Sequence, residues 1–437
     1  MGIIDTFACA LAGAREEATR IAEKVATTYG GAGTALLWGT HRRASVLDAA
    51  AINGTAGHAL DYDDVNNTIA GHPSVPLLPA IVALGEMLGS NGKDVLLAYV
   101  TGFETQARIG SAVNVHHYRK GWHPTATLGV FGAAAACARL LNLNVPQTAI
   151  ALAIAASLSS GIKANFGTMT KPLHAGHCSR NGLYAALLAK EGFTASDEAF
   201  EHKQGYFELF NGAGNYDAQK ALQNWANPLD VLAPGIGLKQ YPCCASTHSA
   251  IDATLILRER HGLTPDRIQK IESITHAAAL AHTDRPDPKT ALDAKFSVQY
   301  CVARALMHGA VTFEHFAHNA LTQPELRSLL MRIEAHPHDY APKGMADHYQ
   351  GMVNIITTDG QKYTARVDQP LRGPQNLAPP DRLESKFRDC AGLALRPDTV
   401  PRLYEQLRNL EALSNVRDLT DFMAGAVINA GAKRAAA

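Results

Sequence analysis

Three short stretches of the chain concentrate side chains that can hold anions or move protons. Residues 58–74 (HALDYDDVNNTIAGHPS) carry His58, Asp61, Asp63, Asp64 and His72. In one reading, a helix C-terminus runs into a loop whose carboxylates cap neighbouring backbone N–H groups. In the other, three acids and two histidines crowd an otherwise apolar region because they form a polar site. Oxygen-rich clusters also suit a divalent metal, but Asp-x-Asp-Asp lacks the Gly and Glu of a calcium loop. A metal is therefore the weakest of the three readings.

Residues 116–129 (HHYRKGWHPTATLG) place His123 ahead of Pro124 and Thr125, with an Ala-rich run behind them. Proline opens helices, and the free N–H groups of a helix start attract anions. Arg119 and Lys120 add positive charge, and His117 can add more. The plainer alternative is an exposed basic loop anchored by Trp122. Residues 163–182 (KANFGTMTKPLHAGHCSRNG) repeat the logic, with Lys171 before Pro172. A cation at the positive end of a helix needs an anion to share it. Lys171, with His174 and His177 in the first turns, is thus a candidate carboxylate receptor, against the usual fate of a surface lysine. His248 in KQYPCCASTH and Tyr300 in KFSVQYC each read, taken alone, as satisfied core residues.

No Gly-rich phosphate loop, G-x-S-x-G elbow or H-E-x-x-H pair occurs, which disfavours ATP use, α/β-hydrolase chemistry and zincin chemistry. What remains is a cofactor-free inventory of His, Lys, Asp and Tyr. It suits an anionic substrate and proton transfer next to a carboxylate.

The elements that must position these groups change character along the chain. Residues 1–240 read as mostly helix, with small and apolar runs at 127–142, 149–158 and 173–191 separated by Gly- or Pro-marked breaks. From Tyr241 the pattern is mixed. Residues 271–277 read as a strand, and 353–358 and 363–367 flank an Asp359-Gly360 hairpin turn. Residues 296–309 and 323–333 read as helices. At the end, Val400, Leu403, Leu407, Leu410, Leu413, Val416, Leu419 and Phe422 recur every three or four residues as a core-facing helical stripe. The expected architecture is mainly α with an α+β module. A large helical domain is built from 1–240 and completed by C-terminal helices at 390–437, with an α+β module inserted at 241–389.

Composition narrows the class. The chain has 437 residues, with 40 Lys+Arg against 40 Asp+Glu and 18% charged residues. A zero formal charge argues against nucleic-acid and polybasic membrane binders. The charged fraction is too low for a disordered chain. No apolar run approaches a membrane span, and no secretory signal pattern opens the chain. Seven scattered cysteines without a C-x-x-C argue against a zinc site or iron–sulfur cluster held by that motif, and adjacent Cys243 and Cys244 read as buried thiols rather than a redox pair, in a reducing, cytoplasmic setting.

Taken together, NGTAGHALDYDD…GHPS (53–74), GWHPTATLGVFGA (121–133), TKPLHAG (170–176), YPCCASTH (241–248) and KFSVQY (295–300) resemble the MmgE/PrpD family, in the family's order and over most of the chain. The family includes 2-methylcitrate dehydratase, the itaconate-forming cis-aconitate decarboxylase and iminodisuccinate epimerase, which act on small di- or tricarboxylates. The resemblance implies a helical domain plus a smaller α+β lid domain, a site between them, and a homodimer. It also implies that Asp61, His72, His123, Lys171, His248 and Tyr300 stand at active-site positions. His72, His123 and Lys171 would hold carboxylates and shuttle protons, and Asp61 would orient a histidine or join the transfer. His248 and Tyr300 would close the site from the lid. The expected function is a cofactor-independent lyase, a dehydratase or decarboxylase. An epimerase on the same scaffold and a catalytically silent carboxylate binder are the alternatives.

Two departures stand out. Val65 follows DYDD where several members carry a hydroxyl, which puts tricarboxylate specificity in question. Residues 2–13 (GIIDTFACALAG) resemble a segment that members reach after a first helix, so an exposed apolar groove is expected near the N-terminus.

Overall fold

The computed structural model describes residues 1–338, 349–370 and 380–428. The chain divides into two compact units. The first comprises Met1–Ala164, Thr170–Gly237 and the described residues of Leu377–Ala437. The second comprises Asn165–Met169 and the described residues of Leu238–Asn376.

The first unit is helical because its sequence supplies small apolar residues and strong helix starts. Asn91 accepts from the Asp94 N–H at 2.9 Å to open the Gly92–Val113 helix. Asn144 and Gln147 form a reciprocal capping box ahead of Val145–Leu158. Gly129–Leu140 is almost wholly buried, as its alanines and glycines permit. The Gly2–Gly13 helix is buried at every position, while the Glu17–Tyr29 helix that follows exposes Ile21, Val25 and Tyr29. The C-terminal stripe is not one helix. Val400–Arg408 and Val416–Gly425 are separated by a short 3₁₀ turn, and Asn415 caps the second by accepting from the Arg417 N–H. Val400, Leu403, Leu407, Leu410, Val416 and Leu419 are buried all the same.

The helix pair that carries the site crosses at two glycines. A Cβ added to Gly54, on Val46–Ala59, would lie 2.7 Å from the Gly176 Cα on Thr170–Lys190. One added to Gly176 would lie 2.0 Å from the Ala51 carbonyl oxygen. Only glycine at both places lets the two backbones touch.

The second unit holds a four-stranded sheet in the order 333–337, 268–275, 351–357, 362–367. The Ile268–Thr275 strand runs parallel to Ile333–Pro337 and antiparallel to Gly351–Thr357, which in turn pairs antiparallel with Lys362–Val367. The last two strands form the hairpin expected from the Asp359-Gly360 pair. Gly360 has φ +82°, which suits glycine in a tight turn. The helices His248–His261 and Val298–His308 pack together and against this sheet. Ile271, Ile355, Leu257, Val302 and Leu306 lie in their shared core. All seven cysteines are free and buried. Among the described residues no helix is long and apolar enough to cross a membrane.

Candidate active site

The Val46–Ala59 helix ends with His58 in its last turn, and the chain then reverses at Asp61, which has φ +51°. A non-glycine residue in this left-handed region is uncommon, and aspartate tolerates it better than most. The loop that follows folds back on itself. The Asn66 N–H donates to the Gly71 carbonyl at 2.9 Å, and the Gly71 N–H returns the bond at 3.3 Å. The Asn66 side chain is tied to Asp230 and to the Gly235 carbonyl, both at 2.8 Å. His72 is thereby returned beside Asp61 and Asp63. Its backbone N–H donates to the Thr125 hydroxyl at 3.0 Å, fastening it to the segment that carries His123.

Lys171, in the first turn of Thr170–Lys190, is 4% exposed. Its Nζ donates to Asp61 Oδ1 at 2.8 Å and to His58 Nε2 at 2.9 Å. The anion that a cation at a helix start requires is therefore Asp61. His58 Nδ1 lies 2.9 Å from Asp63 Oδ1. His72 Nδ1 lies 3.1 Å from Asp63 Oδ2 and 3.2 Å from the Asp63 carbonyl, with His72 Nε2 3.5 Å from Asp61 Oδ1. Asp63 can only accept. Both histidines must therefore carry a proton on Nδ1, which leaves Nε2 of His58 to accept from Lys171. The His123 ring stacks 5.6 Å from His58, and its Nδ1 lies 3.1 Å from His174 Nδ1.

Burial shapes the electrostatics. It pushes His58 down to about 4, with Lys171 and His72 adding to the fall and Asp63 opposing it. Burial, then Lys171 and the neighbouring histidines, holds His123 well below the ordinary histidine range. Burial also brings His174 to about 4, helped by His58 and Lys171. Burial alone would raise Asp63, but the facing His58 and His72 hold its carboxyl well below the usual range. The cluster is one of mostly neutral imidazoles around two carboxylates and a lysine.

His58, Asp61, Asp63 and His72 place ligand-type atoms within 4.8 Å of one another. Those atoms are already engaged: Asp63 takes both Nδ1–H groups, and Asp61 takes Lys171. The donor set has the chemistry of a hydrogen-bonded relay more than of a metal cradle.

Of the six residues singled out by sequence, Asp61 contacts both Lys171 and His72, and His123 stacks on the His58 ring that Lys171 donates to. His248 and Tyr300 belong to the second unit. His248 Nε2 faces the Cys243 carbonyl at 3.3 Å, and its ring packs against Tyr241. The Tyr300 hydroxyl donates to the His315 carbonyl and accepts from Arg304 Nε at 3.1 Å, within that unit's core. Two local expectations change. His117 adds no charge, because burial lowers it to about 4 and its ring is spent on Asn211 and Thr127. The helix after His123 spans only Pro124–Thr127, too short to gather much of a helix dipole. His58, Asp63 and His174 were legible as residue types but not as partners. Their roles depend on the Asp61 reversal and on the glycine crossing.

Val65 is buried. Its backbone is paired in both directions with Gly237, at 2.9 and 2.7 Å.

Comparison with known proteins shows the family. The MmgE/PrpD N-terminal domain matches residues 1–219, and the MmgE/PrpD C-terminal domain matches residues 241–411. Cis-aconitate decarboxylase of Homo sapiens is 31% identical over 436 residues, covering 97% of this chain and 89% of that protein. Cis-aconitate decarboxylase of Mus musculus is 29% identical, covering 97% and 88%. The mitochondrial 2-methylcitrate dehydratase of Yarrowia lipolytica is 25% identical over 354 residues, covering 76% and 66%. With both domains matched in order over most of its length, the chain belongs to the MmgE/PrpD family and is an enzyme of its lyase type.

Proposed function

We propose that this enzyme decarboxylates a small unsaturated tricarboxylate of the cis-aconitate class, without a cofactor. The single observation that carries the reading is the Lys171–Asp61–His72 contact, backed by His58 and Asp63. Decarboxylation is preferred to dehydration because the relatives named as decarboxylases align over 97% of this chain, against 76% for the dehydratase.

The chemistry asked of the chain is limited. Loss of CO₂ from the methylene arm of such a substrate breaks one C–C bond and leaves its electron pair in a three-carbon allylic unit. One proton must then reach the far carbon. Lys171 and His123 receive carboxylates and hold the charge as it spreads. Well-placed donors of this kind are worth ~3–4 kcal/mol each. His72 delivers the proton from Nε2, with Nδ1 anchored on Asp63, and regains one from water after CO₂ leaves. Asp61 keeps the amino group of Lys171 and the ring of His72 in one geometry. A trianion entering this cluster raises the histidine pKa values, because a nearby negative charge favours their charged form. The substrate thus helps create the acid that protonates it.

Replacing Lys171 with Ala tests the assignment. The expected result is at least a ~10³-fold loss of kcat on cis-aconitate with a cooperative melt retained. Near-normal turnover in a folded Lys171→Ala enzyme would remove the proposal.

A further inference from the structure

Behind the Asp61 turn lies a second buried cation that the reaction does not use. Lys386, on the Pro380–Ala391 helix, has a side chain only 6% exposed. Its Nζ lies 2.7 Å from Asp5 Oδ1, on the fully buried Gly2–Gly13 helix, and donates to the Tyr62 carbonyl at 2.6 Å. The same Nζ sits 3.7 Å from the centroid of the Tyr62 ring. Burial works against the charge of Lys386, but Asp5 outweighs it and keeps the amine above the ordinary lysine range.

Tyr62 stands between Asp61, which receives Lys171, and Asp63, which receives two histidines. The direction of its carbonyl sets the plane of the peptide that leads into Asp63. The other side of the turn has further anchors, beside the contact that Asp5 makes with Asp64. Asp64 Oδ2 accepts from the Ser74 hydroxyl at 2.6 Å, and Gln106 Nε2 donates to the Pro73 carbonyl at 2.7 Å, next to His72. Lys386 thus grips the second of the two peptides that join Asp61 to Asp63.

We propose that Lys386, held by Asp5, is a positioning residue that sets Asp61 and Asp63 through the Tyr62 carbonyl, making the Pro380–Ala391 helix part of the active-site machinery. The inference rests on the reading of His58, Asp61, Asp63, His72 and Lys171 as the catalytic centre. It adds a residue that touches none of the reacting atoms.

The test uses the full chain and three variants: Lys386→Met, the doubly neutral Asp5→Asn/Lys386→Met, and Lys386→Arg. The double variant avoids leaving Asp5 as an unpaired buried charge, which by itself can unfold the protein. The expected result is a fall in kcat of roughly 100-fold with little change in KM, the scale of a small misplacement of catalytic groups. Lys386→Arg should recover at least about a tenth of the wild-type rate, since a guanidinium can still reach a carbonyl. Side-chain ¹⁵N NMR of the ligand-free enzyme supplies a readout independent of the substrate. His58 and His72 should hold the Nδ1–H tautomer in the wild type and show mixed tautomers in the Met variants. Should the wild type prove inactive on tricarboxylates, the NMR comparison still decides the role of Lys386. A folded double variant with wild-type kcat and unchanged tautomers would overturn the proposal. Loss of folding in all three variants would overturn it too, by making Lys386 a purely structural residue.

Discussion

Two buried lysines flank the same turn, and each is paired with an aspartate at nearly the same distance, 2.8 Å for Lys171–Asp61 and 2.7 Å for Lys386–Asp5. Their third partners differ. Lys171 also donates to an imidazole nitrogen, His58 Nε2, whereas Lys386 donates to a peptide carbonyl and lies over a ring face. An imidazole can take up a proton and pass it on, but a carbonyl can only be held. The same buried ion pair therefore serves as part of a relay on one side of the turn and as a brace on the other. The third partner decides which.

Asp63 is the largest lever on this contrast after Lys171 itself. Asp63→Asn retains one accepting oxygen and gains a donor, so it can orient only one of the two histidines. An orienting partner of this kind is typically worth 10–100-fold, and serving two rings puts the loss at the upper end. The expected outcome is a kcat reduced by about 100-fold, with a pH–rate profile displaced from that of the wild type. An unchanged profile in Asp63→Asn would mean that the tautomers are set elsewhere.

A smaller effect separates the two sides by pH. Burial first, and then cationic or histidine neighbours, brings His58 and His174 to about 4, and burial does the same to His117. Unfolded histidines titrate near ~6.5. Between about 6.5 and 4 the unfolded chain binds more protons than the folded one. Their contribution to stability is therefore fully present above 6.5 and falls as the pH drops toward 4, by up to about 1.4 kcal/mol per pH unit for each histidine. Asp63, held low by its histidines, gives way only at more acid pH. Lys386, held above the ordinary lysine range, stays charged throughout this window. The raised carboxyls of Asp5 and Asp64 act in the opposite sense, so the histidine share is read by difference: between pH 7 and pH 4.5 the urea midpoint of His174→Gln should fall less than that of the wild type. An equal fall would mean that His174 is not buried neutral.

Much of this molecule is legible in the sequence, and the exceptions have a common cause. Helical runs show because Ala, Leu and Gly dominate without β-branched alternation. The 351–367 hairpin shows because Asp359-Gly360 is a turn signal between β-prone runs. Asp61, His72, His123 and Lys171 are visible because polar side chains crowd apolar neighbourhoods. Their pairing is not visible. It requires a left-handed aspartate and a crossing at Gly54 and Gly176 that brings positions 58 and 171 within one hydrogen bond. Lys386 carries no local signal at all. It sits on an ordinary amphipathic stretch, and only the fold brings it to a carbonyl 324 residues earlier in the chain. The apolar stripe from Val400 likewise marks burial correctly but hides the break near Leu410, because a 3₁₀ turn keeps the same spacing of buried residues.

The central claim is that a cluster of neutral histidines around Lys171 becomes charged when a polycarboxylate arrives. Titration calorimetry with propane-1,2,3-tricarboxylate, a saturated analogue that lacks the allylic unit, tests it most directly when run at pH 6.5 in buffers of different ionisation enthalpy. The account predicts net proton uptake on binding, and affinity that rises as the pH is lowered from 7.5 to 6. Binding with no proton uptake, or with proton release, would contradict it.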